Sequence, residues 1–245
     1  MHSVRFFPVR RGALWIGSAT LALVSNTLAP ALPVSAGSGP VILPPNAQAY
    51  GASYAEWSAR WWQWNFSLAV DENPSFDQGN CENGANGQDE KVWFLTGVIN
   101  VSGTATRTCS VPVGRPLFFP LLNVECSTIE QNGTTEAELR ACVNGYMDAA
   151  KDVFAELDGR QIQNVMGRFR TPSSLFTFGP LPEDNLVEWF GFTAPEGSTS
   201  PSVSDGYYVL LAPLSPGMHT LHFGGTFGAP FNFTLDVTYT LNVGN

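Results

Sequence analysis

The sequence predicts a mainly β (α+β) fold: an antiparallel β-sandwich, immunoglobulin-like or jelly-roll, with two helices packed on it. Three observations predict it. Short apolar runs recur at intervals of about ten residues, separated by Gly- and Pro-containing turns, as strands joined by hairpins do. Near the end of the chain Phe233, Leu235, Val237, Tyr239, Leu241 and Val243 alternate with Asn232, Thr234, Asp236, Thr238, Thr240 and Asn242. That strict period of two describes one strand with one face in a core and the other in water. Two other segments carry a helix-start signal followed by apolar residues at helical spacing. Composition agrees: 13% charged residues, 24 Gly and 18 Pro beside 44% hydrophobic residues describe a loop-rich β protein, too apolar for disorder.

Residues 1–36 read as a secretory signal peptide, so the expected location is secreted or periplasmic. Arg5, Arg10 and Arg11 form a positive leader, and the apolar stretch Ala13 to Val24 is shorter than the roughly 20 residues of a membrane span. Val34-Ser35-Ala36 is a small-residue cleavage site, with Ala29-Pro30-Ala31 as a second candidate. The Arg10-Arg11 pair raises the twin-arginine export route, although Gly12-Ala13-Leu14 fits that motif poorly. No later apolar run suits a transmembrane helix. The leader holds three of the 12 Lys and Arg and none of the 21 Asp and Glu, so the remainder carries 9 − 21 = −12. A chain this acidic is repelled by nucleic acid and by anionic membranes.

Residues 37–50 form a Gly/Pro/Ser lead-in, expected extended or flexible, and 51–245 a single domain. A first helix opens with the capping box Ser53…Glu56. Tyr54, Trp57, Trp61, Trp64 and Leu68 then make one apolar stripe, and Ala55, Ala59, Trp62 and Phe66 a second. Glu56, Arg60, Gln63 and Ser67 make its polar face. Residues 71–90 are a long loop rich in Asp, Asn, Glu and Gly. Its acids Asp71, Asp77, Asp89 and Glu90 are oxygen donors of the kind Ca2+ prefers, but their spacing matches no EF-hand, and Asx residues are ordinary turn formers.

From Lys91 the pattern becomes β. Val92 to Leu95, Arg107 to Val113 and the proline-extended Pro116 to Asn123 are expected strands. A second helix is expected from the capping box Thr135…Glu138 to about Lys151, with Leu139, Val143, Tyr146, Ala150 and Phe154 at helical spacing. Asp158-Gly159 signals a hairpin. Further strands are expected at Gln161–Val165, Ser174–Phe178, Leu186–Phe190, Tyr207–Ala212 and Met218–Phe223. The four cysteines, Cys81, Cys109, Cys126 and Cys142, imply two disulfides in an exported chain, with sequence-nearest pairing preferred among three connectivities. Their spacing fits no zinc motif.

No motif declares a chemistry. His219 and His222 share an expected strand and differ in parity, so they face opposite sides and cannot jointly hold a metal. A Ser–His–Asp triad stays open, because its members need only be spatial neighbours, but no serine lies in a Gly-x-Ser-x-Gly turn. Trp62 and Phe66, on the second stripe, are the candidate ligand-stacking residues, and the first stripe reads as an anchor. Glu56, Arg60 and Gln63 are candidate polar partners at a sugar site, or else an i,i+4 pair on a helix surface. The expected function is a non-catalytic binding or envelope-associated protein, with a glycan as the candidate ligand. The alternatives are a hydrolase of an extracellular polymer that uses a carboxylate pair, and a calcium-stabilised structural protein.

The segment Tyr54-x-x-Trp57-x-x-x-Trp61-Trp62-x-Trp64 is followed by Asn73-Pro74, Cys81, Val92-Trp93-Phe94-Leu95-x-Gly97, Arg107-x-Cys109-x-Val111-Pro112-x-Gly114 and Phe118-Phe119-Pro120. Together these resemble a group of secreted bacterial proteins with no established activity, from about residue 50 to the C-terminus. The resemblance implies export and a common fold and assigns no catalytic residue.

Overall fold

The structure, a computed structural model, describes residues 40–99 and 103–244, so the signal-peptide reading of residues 1–36 lies outside the described residues. In chain order the strands are β1 (Gly79–Asn80), β2 (Trp93–Phe94), β3 (Gly103–Pro112), β4 (Leu117–Ser127), β5 (Ala150–Leu157), β6 (Arg160–Gln161), β7 (Phe176–Phe178), β8 (Ser200–Leu211), β9 (Gly217–Phe227) and β10 (Phe233–Gly244). The helices are α1 (Tyr54–Phe66), α2 (Glu136–Met147) and two single turns, α3 (Val165–Arg168) and α4 (Leu186–Trp189). Two sheets pack as a sandwich, one ordered β1-β3-β10-β9-β5-β6 and the other β2-β4-β8-β7.

The alternation read in β10 is realised: Leu235, Val237, Tyr239, Leu241 and Val243 are buried. The strand lies between β9, antiparallel, and β3, parallel over ten residue pairs from Gly103↔Leu235 to Pro112↔Gly244. With β1–β3 and β2–β4 also parallel, the sandwich is mixed rather than wholly antiparallel. β3 starts earlier than the sequence suggests. Ala105, Cys109 and Val111 face the core, but Arg107 stands among them and hides the period. Its guanidinium is buried, bonded to the Thr96 hydroxyl at 3.0 Å and the Tyr239 hydroxyl at 2.9 Å.

β4 and β8 are covered on both sides, which explains why they read as continuous apolar runs. Phe119 meets Phe223 of the facing sheet at 5.2 Å, while Phe118 stacks on Tyr208 at 5.4 Å and meets Tyr54 of α1 edge-on at 5.8 Å. α1 therefore forms a third layer on the smaller sheet. Its capping box forms as expected: the Ser53 hydroxyl accepts from Glu56 N at 3.3 Å and Ser53 N donates to Glu56 Oε2 at 2.7 Å. The first stripe is an anchor. Trp57, Trp61 and Trp64 each donate an indole N–H to a backbone carbonyl, of Ala49 (3.0 Å), Leu95 (2.9 Å) and Asn86 (2.9 Å).

The described part of the lead-in is tied down. Leu43 N donates to Leu210 O at 2.9 Å, and the Tyr54 hydroxyl links the two strands, accepting from Leu210 N at 2.9 Å and donating to Leu43 O at 2.6 Å. The disulfides pair Cys81 with Cys109 and Cys126 with Cys142, the sequence-nearest connectivity. Asp158-Gly159 makes the two-residue hairpin between β5 and β6, both residues at positive φ (51° and 74°). α2 stops at Met147, short of the expected Lys151, because Ala150 already pairs with Phe227 in the sheet.

Two expected strands are absent. Leu186–Phe190 is instead the turn α4, started by Asn185, whose side chain accepts from Glu188 N at 3.1 Å. In 161–165 the strand ends at Gln161 and the chain turns into α3. A short apolar run does not by itself distinguish strand from helix. No described helix is long and apolar enough to cross a membrane.

Tyr54→Phe removes the one group that satisfies both Leu210 N and Leu43 O, two backbone groups away from water. It should lower stability by about 1–3 kcal/mol in chemical denaturation, with an unchanged denaturant slope. A loss near zero would show that the hydroxyl does not join the lead-in to the helix.

Candidate functional site

A cavity of about 520 Å³ opens where the sheets, α1 and α2 meet. Its walls are aromatic. Phe227, Phe231 and Phe233 come from the β9–β10 end, Tyr146 from α2, and Phe190 and Phe192 from the segment at the end of α4. Tyr146 stacks on Phe231 with ring centres 3.9 Å apart, which fixes that wall. Phe190 is 43% exposed and stands at the mouth.

The polar groups are few and come mainly from β4 and the turn after it: Asn123, Glu125, Glu130 and Asn132. Asn123 sits opposite Gly206 of β8, where a Cβ would lie 2.6 Å from the Asn123 Cβ, so the pairing there requires glycine. Glu125 is buried between Val124 and Cys126, and the Ser202 hydroxyl donates to its Oε1. Glu130 is buried beside it, receiving the Ser127 hydroxyl at 2.7 Å. The turn is braced by Ser127 N donating to Asn132 Oδ1 at 3.0 Å, and Cys126–Cys142 ties β4 to α2. Burial pushes the Glu125 carboxyl well above the usual carboxylate range. The charge of Glu130 and the hydrogen bond between the two carboxyls add to this, and the Ser202 and Ser127 hydroxyls offset part of it. Among the described residues no Lys, Arg or His forms an ion pair with either carboxyl.

Trp61 and Trp62 bring α1 to the cavity. Trp62, the candidate ligand-stacking residue, is 8% exposed. Its indole packs edge-on to Trp61 at 4.9 Å and stacks on Phe66 at 5.4 Å; Phe66 stacks in turn on Phe178 at 4.2 Å and does not border the cavity. Alone among the four indoles of α1, Trp62 leaves its N–H without a hydrogen-bond partner. The Tyr208 hydroxyl lies on that side, faced also by Asn123 and Ser204, but outside hydrogen-bond geometry with Trp62.

The other sequence candidates go elsewhere. Glu56 is held by the Ser53 cap, Arg60 reaches Glu90 at 3.3 Å and covers the Trp57 ring at 4.8 Å, and Gln63 donates to Thr177 O at 2.8 Å. None of the three borders the cavity, and the helix surface separates them from it. In the loop, Asp77 accepts from Asn83 at 2.9 Å and 3.1 Å, and burial raises its carboxyl above the ordinary value. Asp71 and Asp89 are exposed. Among the described residues no three His, Cys, Asp or Glu side chains gather where they could hold a metal ion. Glu125 and Glu130 escaped the sequence reading because the expected strand stopped at Asn123. The available signal was an acid flanked by Val124 and Cys126 in a strand that runs on to Ser127.

No protein-family model matches the chain, and no curated protein matches it. Among solved structures it is similar to the cysteine protease inhibitor EhICP2 from Entamoeba histolytica, at 12% identity over 61% of this chain and 93% of that one, with a TM-score of 0.23. It is also similar to PbICP-C, solved in complex with falcipain-2, at 12% identity over 61% and 98% of the two chains, with a TM-score of 0.24. Overlap this slight carries no argument about fold or activity.

The histidines do face opposite sides. His222 meets Asp236 at 2.8 Å, and His219 contacts Asp158 through Nδ1 at 2.7 Å and Ser215 through Nε2. This has the contacts of a Ser–His–Asp triad, but Nε2 lies 2.9 Å from the Ser215 carbonyl oxygen and 3.3 Å from its hydroxyl. A carbonyl only accepts, so that nitrogen carries a proton and is not free to take one from the serine. The arrangement is a latch between two turns. Burial lowers the His219 pKa, and the Asp158 and Ser215 acceptors more than offset this, leaving it raised. Its contribution to stability is therefore complete below the unfolded value of about 6.5 and fades as pH rises through the higher folded value. The stability gap between the native protein and Asp158→Asn, which keeps a residue tolerant of positive φ, should narrow from pH 6 to pH 9 in thermal unfolding. A gap independent of pH refutes a protonated latch.

Proposed function

We propose that the protein is an exported, non-catalytic binding protein that takes a small, largely apolar molecule into the aromatic cavity. The observation that carries this is the cavity itself: about 520 Å³, walled by aromatic rings and floored by a few fixed polar groups. Ligand sites of small molecules have this size and this balance of apolar wall and convergent polar contact. A buried carboxyl pair with one strongly perturbed member is a further mark of a functional site. A sugar is less well suited than an apolar body, because one face of Trp62 is already occupied by Phe66 and the polar complement is small.

A second reading is a hydrolase in which Glu125 acts as general acid and Glu130 as its partner, and the raised Glu125 carboxyl favours it. Turnover of nitrophenyl esters or glycosides that disappears in Glu125→Gln would support this reading.

N-phenyl-1-naphthylamine, a neutral apolar fluorophore, should bind the protein one-to-one with a rise in emission. Phe190→Arg, at the exposed mouth, should weaken it about fivefold or more, roughly 1 kcal/mol, without changing the melting temperature. Absence of binding to the native protein, or binding indifferent both to Phe190→Arg and to Ile99→Trp, a substitution at another residue of the cavity lining, refutes the cavity as the site.

A further inference from the structure

We infer that the occupant of the cavity is an amphipathic amine, with its ammonium group on Glu125 and Glu130 and its apolar body among Phe227, Phe231, Phe233 and Tyr146. This rests on the preceding reading of the cavity as a ligand site. Three observations lead to it.

The first is charge. Glu125 and Glu130 are buried and border the cavity, yet among the described residues no cationic side chain forms an ion pair with either. Buried carboxyls without a cationic partner are costly to ionise, and a cation supplied from outside removes that cost. The whole chain is acidic, at −9, and its field concentrates cations rather than anions near such a cleft.

The second is the match of donors to acceptors. An ammonium offers three N–H donors and no acceptor. The two carboxyls supply acceptor oxygens, and Asn123, whose amide nitrogen is turned to the Tyr208 hydroxyl at 3.5 Å, keeps its carbonyl oxygen for a third. A divalent ion is poorly served: among the described residues no third acid, His or Cys joins the pair, and Ca2+ prefers six to eight oxygens.

The third is Trp62. The residue borders the cavity, and its N–H is buried and unpartnered, whereas the other three indole N–H groups of α1 are bonded. The Trp61 and Trp62 rings also offer electron-rich surface to a nearby cation. A fatty acid would set a carboxylate against the acid pair, and a simple alcohol would leave the buried charge uncompensated.

The test is isothermal titration of the native protein at neutral pH with decylamine, decanol and decanoate, which share one chain and differ in head group. Decylamine should bind at least tenfold tighter than decanol, and decanoate should not bind detectably. Glu130→Gln and Glu125→Gln, checked for folding by thermal unfolding, should abolish the preference for the amine while decanol binding persists. Decanol binding as tightly as decylamine to the native protein overturns the inference without recourse to any variant, as does a preference that survives both Gln substitutions. Calcium chloride that displaces decylamine at micromolar concentration also overturns it, in favour of a metal site. If N-phenyl-1-naphthylamine binds and none of the three probes does, the amine assignment fails alone; if the fluorophore also fails, the cavity reading falls with it.

Discussion

The indole N–H bonds of α1 hold together parts of the molecule that have no sheet to hold them. Trp57, Trp61 and Trp64 reach Ala49, Leu95 and Asn86, three carbonyls in segments with little regular structure. A buried carbonyl without a partner is costly, and a tryptophan supplies a donor at the end of a large apolar ring. The ring fills the layer between helix and sheet while its edge fixes a loop. Four tryptophans within one short helix are thus a way to attach several loops to a single rigid element.

The cavity is a by-product of the same helix. Three of the indoles are consumed by attachment, and the fourth, Trp62, turns to where the sheets and α2 leave space. The acid pair belongs to the opposite wall and owes its rigidity to other devices: the Ser202 and Ser127 hydroxyls, the Asn132 brace and the Cys126–Cys142 link to α2. Two separately stiffened walls that meet across an unfilled space describe a preorganised site, in which little ordering remains for a ligand to drive.

Where one residue type repeats with a clear period, the sequence was easy to read. The faces of α1, both capping boxes, the disulfide pairing, the Asp158-Gly159 hairpin and the alternation of β10 follow from local rules, and each is present, whereas Ala150 and Phe154, read onto the second helix, lie in β5. The split of the tryptophans into three anchors and one exception also followed from helical geometry. The failures share a cause. Arg107 interrupts the period of β3 because its partners Thr96 and Tyr239 are distant in sequence. Leu186–Phe190 was too short for its apolar content to choose between helix and strand. The parallel pairing of β3 with β10 has no local signature. The acid pair was hidden because a carboxylate in an apolar strand looks like the end of that strand, until the turn that brings Glu130 back beside it is known.

The position of β10 has a consequence for how the domain is assembled. The last of the described strands lies inside its sheet, with β3 on one side and β9 on the other. The contact with β3 joins residues such as Gly103 and Leu235, so the closure of this sheet is among the most non-local events in the chain. Until β10 arrives, β3 and β9 each present an unpaired edge, and such edges invite pairing with another copy. The domain is therefore completed as a unit, from its far end inward, and a chain emerging residue by residue remains open along two edges until almost all of it is available.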